Sequence, residues 1–244
     1  MTLQRARFDA WLPTALLLAG SICFLGGGSR HPRVNETTMP AAGTEEYFRH
    51  FAEMMLSMPN WELIHTLLLA GPVLWALGAS GATRLLGRRA SVLGEVGRTA
   101  LLAGAGLWAL AFVLDGYVGP RHARTMLAAG AGSDATAIAT FGANAFTMAR
   151  LGMISVVLIA ASAINFGVAL LLDTGWRSWR AAVGLAGGLL GAGLLVAALR
   201  GEFHPGPFTS VHWTAMAAAL GVWFLLFGTT LPGLSSRKLD EAPD

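Results

Sequence analysis

Only one cysteine occurs in the chain, Cys23, and it lies inside an apolar run. That excludes an intramolecular disulfide, a C-x-x-C metal site and a c-type haem attachment motif. Lysine is just as scarce: of the 17 basic side chains only Lys238 is one, and the arginines are scattered between apolar stretches. A nucleic-acid partner would need them gathered on one soluble face, so none is expected. Charge of either sign is thin, at 13% of residues against about 25% in soluble domains. There is no G-x-S-x-G motif, and the sole thiol sits in a stretch suited to lipid, so no catalytic residue is identified and no enzyme class follows.

What is present is apolar. Hydrophobic side chains make up 54% of the 244 residues, and mean hydropathy is +0.56. Charge-free intervals of 20, 21, 16, 22 and 19 residues separate Asp9 from Arg30, Glu62 from Arg84, Arg98 from Asp115, Arg150 from Asp173, and Arg180 from Arg200. A sixth lies within 211–231 and stops at Pro232. A helix needs about 20 apolar residues to cross the hydrocarbon core. The expectation is therefore an all-α integral membrane protein, a single domain over 1–244, with spans near 10–29, 63–83, 99–118, 150–172, 181–199 and 211–231. The third span is expected to run on through Val118 and to break at Gly119-Pro120. The first is read as retained rather than as a cleaved signal, because its Phe24-Leu25-Gly26-Gly27-Gly28 end offers no small-residue cleavage site.

Orientation follows from the arginines. With the N-terminus inside, the inner segments hold 10 Lys/Arg in 45 residues and the outer segments 7 in 80. The positive-inside rule then places both termini in the cytoplasm, in what reads as a bacterial cytoplasmic (inner) membrane. The lipid bilayer is the expected partner, together with a membrane-protein partner or a second copy of the chain.

The first outer segment, 30–62, carries Glu45, Glu46, Arg49, His50 and Glu53 on one helical face and Tyr47, Phe51, Met54, Met55 and Met58 largely on the other. This predicts an amphipathic helix lying in the membrane interface, started at Thr44. The second outer segment, 116–149, restarts at Ser133-Asp134 and is helical from about 135 up to or into the fourth span. Asn35-Glu36-Thr37 matches a glycosylation acceptor, which carries no weight in a bacterial chain. Gly184 with Gly188, and Gly187 with Gly191, form small-xxx-small pairs for close helix packing. Gly71-Pro72 interrupts the second span and should kink it. Trp61, Trp108 and Trp213, and the inner Trp176 and Trp179, suit the two aromatic belts.

The residues that carry chemistry collect on the outer side. All six histidines lie there, as do the methionines after Met1, or they lie in the outer half of a span. Imidazole and thioether suit copper, and imidazole alone also suits zinc or haem iron. Glu62 and His65 are one helical turn apart, and this E-x-x-H has no second copy with which to build a di-iron site. His212 opens the sixth span much as His65 opens the second, so the pair is expected at similar depth. The expected site is an outer-face cluster of histidine, methionine and carboxylate. Its cofactor-binding residues are His65 and His212, and its metal ligands are drawn from Glu62, His65, Asp115, His122, His204 and His212, with His31 and the methionines in reserve. Glu62 is the candidate for fixing an imidazole tautomer from behind. Asp115, near the outer hydrocarbon edge, has Arg150 as its expected ion-pair partner when it is not a ligand.

Three functional readings follow: an outer-facing metal or haem site with a redox or metal-handling role, a structural or accessory subunit of a membrane complex, and a carrier of a small solute or ion. The carrier would use the Pro72 kink and the polar residues Ser155, Ser162 and Asn165 of the fourth span. A transmembrane dihaem cytochrome is all but excluded, because the inner leaflet has no histidine.

Overall fold

The computed structural model describes residues 3–32, 39–129, 135–199 and 211–240, with the side chains at 3–10, 199, 211–214, 216 and 235–240 excepted. These residues form α-helices and turns, with no strand among them. In chain order the helices are α1 (Leu3–Arg30), α2 (Glu45–Ser57), α3 (Trp61–Ala82), α4 (Ser91–Val113), α5 (Gly119–Ala128), α6 (Ala135–Thr174), α7 (Trp179–Leu199) and α8 (Val211–Asp240). A π-helical turn, Leu114–Val118, joins α4 to α5. Six helical segments are long and apolar enough to cross a membrane, the architecture of a multi-pass helical membrane protein.

Lipid tails are as apolar as leucine, so helices in a membrane are held by close packing rather than by expulsion of water. Glycine supplies that closeness here. Gly20 and Gly27 of α1 face Gly71 and Ile64 of α3, and a Cβ added to Gly27 would stand 2.9 Å from the Ile64 carbonyl oxygen. α1 and α3 therefore run antiparallel in contact, which brings the end of α1 beside the start of α3. α3 continues unbroken through Pro72. Its Gly71 is filled by Phe24 of α1 rather than opening onto a cavity. The interior behind it is aromatic: Phe24, Trp75, Trp108 and Phe224 are buried, and Trp75 stacks on Phe224 with ring centroids 4.4 Å apart.

Pro232 has no N–H, so the Gly228 carbonyl one turn earlier on α8 lacks its helical donor. The Thr14 hydroxyl of α1 donates to it at 3.2 Å. Thr14→Val is expected to leave this carbonyl unpaired and to cost about 1 kcal/mol, measured by reversible unfolding in mild detergent.

α6 has 40 residues, about 60 Å at 1.5 Å each, roughly twice the hydrocarbon thickness. It is continuous from Ala135 through the fourth span, and its first half carries a second core with α2 and α5. α2 starts at Thr44 as expected, the Thr44 hydroxyl oxygen accepting from Tyr47 N–H at 3.2 Å. The expected apolar face exists, but protein covers it rather than lipid. Tyr47, Phe48, Phe51, Ala52 and Met55 are buried, and Phe51 meets Phe141 of α6 at 5.7 Å. The expected break at Gly119-Pro120 does not end the helix: a wide π turn leads directly into α5, with Pro120 in its first turn, and Ser91–Ala128 is helical throughout. Trp61 and Trp108, expected in the outer belt, are core residues instead. Ser133-Asp134 and Asn35-Glu36-Thr37 lie outside the described residues.

Candidate functional site

The α1–α3 pairing sets the first two members of the site. His31 follows the last residue of α1 and His65 is in the second turn of α3, with ring centroids 5.2 Å apart. The third comes from the π-helical turn that follows α4. There the Asp115 carbonyl is released from regular helix pairing and accepts the Trp61 indole N–H at 2.9 Å. This turns the Asp115 side chain toward α3, where its Oδ2 lies 2.9 Å from His65 Nε2. Gly116 makes the approach feasible: a Cβ there would fall 2.5 Å from His65 Cβ. One potential ligand atom from each of His31, His65 and Asp115 lies within 4.8 Å of the others. Two ligands on a tetrahedral ion at 2.0–2.1 Å stand about 3.3 Å apart, so the triad brackets the spacing an ion requires.

His65 Nδ1 faces the Trp61 carbonyl at 2.8 Å, an acceptor only, so Nδ1 carries hydrogen and donates. On a neutral ring Nε2 then presents a lone pair to a carboxylate oxygen that also has only lone pairs. Such a contact needs a positive species, a proton or a metal ion, to hold it together. Asp115 Oδ1 has no hydrogen-bond partner among the described residues although the side chain is buried. An orphaned buried carboxylate oxygen carries a full desolvation penalty unless something cationic reaches it.

His31 repeats the pattern of His65. Its Nδ1 lies 3.2 Å from the Pro32 carbonyl, which fixes the tautomer with the lone pair on Nε2. Burial pushes this imidazole below its ordinary value against the opposing pull of Asp115, so the ring is neutral at pH 7, the form that ligates a metal. His31 is only partly buried, whereas His65 and Asp115 are buried, so the cluster is reached from the His31 side.

This overturns the expected outer-face cluster of histidine, methionine and carboxylate. The group that forms is buried, and no methionine is among its ligands. The methionines serve packing instead: Met55 seats against Gly119, and Met126 and Met148 are buried in apolar surroundings. Of the residues singled out from sequence, His65 and Asp115 meet. His31, held in reserve, completes the triad. Glu62 is exposed, and the tautomer of His65 is set by the Trp61 carbonyl, not by that acid. His122 sits on α5 outside the triad. His204 and the side chain of His212 lie outside the described residues. Asp115 pairs with His65 rather than with Arg150, which is exposed. Gly116 and the Trp61 stacking partner, 4.4 Å from the His65 ring, were missed as site elements.

No particular metal and no haem is indicated by the triad: Asp115 Oδ2 stands 2.9 Å from His65 Nε2, on the side from which an axial iron would approach. Of the polar residues of α6, the Ser155 hydroxyl donates to the Gly104 carbonyl at 2.6 Å and the Asn165 amide to its own helix at Ala161, while the buried Ser162 hydroxyl has no hydrogen-bond partner among the described residues. Comparison of the chain with protein-family models, with curated proteins and with solved structures finds no match.

Proposed function

We propose that the chain is a multi-pass protein of a bacterial cytoplasmic membrane, with both termini inside, that holds one divalent transition-metal ion between His31, His65 and Asp115. The observation that carries this is the unpartnered Oδ1 of the buried Asp115 beside two imidazoles whose Nδ1 atoms are engaged by backbone carbonyls. Two imidazoles and a carboxylate suit zinc or ferrous iron, and the absence of a thioether takes away the particular reason for copper. Three protein ligands leave a coordination position open, and an ion bound this way supplies Lewis-acid chemistry there. The chain's own part is to dry and orient the site. Trp61 stacks on His65 and donates to the Asp115 carbonyl, and Phe112 closes against the His65 ring at 6.0 Å.

The test is elemental analysis of full-length protein purified without a histidine tag. About one equivalent of zinc or iron per chain is expected. Restoring the metal to chelator-treated protein at a hundredfold excess over Kd is expected to add about 2.7 kcal/mol, or about 5 to 10 °C in Tm. Protein that carries no metal and whose Tm ignores added zinc and ferrous iron would refute the proposal.

A further inference from the structure

The two ends of the helical bundle differ sharply in charge. At the end where α3 and α6 stop and α4 and α7 begin, the residues whose side chains are described include six arginines, Arg84, Arg88, Arg89, Arg98, Arg177 and Arg180, against two acids, Asp173 and Glu95. At the triad end, five arginines face five acids among such residues. Both Asp173 and Glu95 are engaged. Asp173 Oδ1 accepts the Gly87 N–H at 2.7 Å, which fastens the α3–α4 loop to the end of α6, and Glu95 takes the Arg98 Nε–H at 2.7 Å. Arg88, Arg89 and Arg177 are exposed. The Arg180 guanidinium lies against Gly233 of α8, and its buried Nε has no partner among the described residues.

Large apolar side chains border this charge. Trp176 is 76% exposed and Val92 70%, with Trp179 at 51% and Arg180 Cζ 6.0 Å from its ring. Indole at such exposure is poorly placed in water and well placed in the headgroup layer of a bilayer. A zwitterionic headgroup layer would satisfy the tryptophans but leave the arginine excess without counter-charge. An anionic layer satisfies both.

We propose that this end of the bundle binds anionic phospholipid, with headgroup phosphates seated among Arg88, Arg89, Arg177 and Arg180 and with Trp176 and Trp179 in the same layer. The proposal rests on membrane embedding and is independent of the metal site. It is tested with full-length protein in nanodiscs of equal parts phosphatidylcholine and phosphatidylglycerol, counting by native mass spectrometry the lipids retained after mild detergent extraction. The wild type is expected to retain phosphatidylglycerol in preference to phosphatidylcholine. Each arginine changed to glutamine lowers that preference by up to about fivefold.

Arg88→Gln with Arg89→Gln changes only exposed side chains, so this pair carries the test even where Arg177→Gln with Arg180→Gln fails to fold. Arg121→Gln with Arg124→Gln, on α5 at the triad end, is expected to keep the wild-type ratio. Retention of the two lipids in proportion to supply would overturn the proposal. So would an equal loss of preference in the Arg121/Arg124 variant.

Discussion

Asp115→Asn is expected to abolish metal retention, from about one equivalent to none, and to weaken binding of added zinc by at least about 100-fold. Amide and carboxylate have the same shape, but the amide brings no charge to an ion and offers its oxygen only weakly. The substitution is informative because it is mild in the metal-free protein. The introduced side-chain amide can turn its NH₂ toward His65 Nε2, whose lone pair is exposed by donation from Nδ1 to the Trp61 carbonyl at 2.8 Å. The neutral hydrogen bond then replaces the contact now made at 2.9 Å, and metal-free stability should move by no more than about 1 kcal/mol. A buried ion pair with no metal function behaves differently: removing the charge of one partner costs about 3–5 kcal/mol. Unfolding of wild type and variant in excess chelator, and again with zinc, separates the two. A large deficit already present under chelator would make Asp115 a structural counter-ion and would remove the metal reading.

The helices were legible in the sequence because the cost of burying charge in lipid clears long intervals of Asp, Glu and Arg, and those intervals survive any detail of packing. The site was legible only in part. His65 and Asp115 stood out as polar groups at the ends of apolar runs, which is a one-dimensional signal. Which histidine would join them was not, since that depends on which helices touch. The likeness of the starts of α3 and α8 pointed to His212, whereas the contact of α1 with α3 through Gly20, Gly27 and Gly71 delivers His31. The rotation of Asp115 was also hidden. It arises from the π-helical turn at Leu114–Val118, which adds a residue to the turn and moves the side chain off the face that a 3.6-residue period would assign. The amphipathic pattern of α2 marks a buried face, but periodicity does not say whether lipid or protein covers it. The 40-residue reach of α6 decides that, by carrying Phe141 and Ala145 out to meet α2.

The same limit applies to the glycines of α7, and it yields the other large effect. The small-xxx-small pattern marks Gly184, Gly187, Gly188 and Gly191 alike, yet the geometry divides them. A Cβ on Gly184 would stand 2.6 Å from the Gly167 carbonyl oxygen of α6, and one on Gly191 would stand 2.5 Å from the Ala160 carbonyl oxygen. A Cβ on Gly188 meets nothing within 4 Å. Gly167 is the tightest position on the α6 side: its added Cβ would meet the Gly184 carbonyl and come within 2.7 Å of the Gly188 nitrogen. These neighbours are backbone and cannot rotate away, so the helices themselves must separate. Gly167→Leu is therefore expected to destabilise the protein by about 3 kcal/mol or more, at the upper end for overpacking. Gly188→Ala should be neutral or stabilising by up to about 1 kcal/mol, through the helix propensity gained over glycine. Unfolding in mild detergent measures both. Equal losses would mean that α7 meets α6 through a different face, and a tolerated Gly167→Leu would mean that the backbones do not touch.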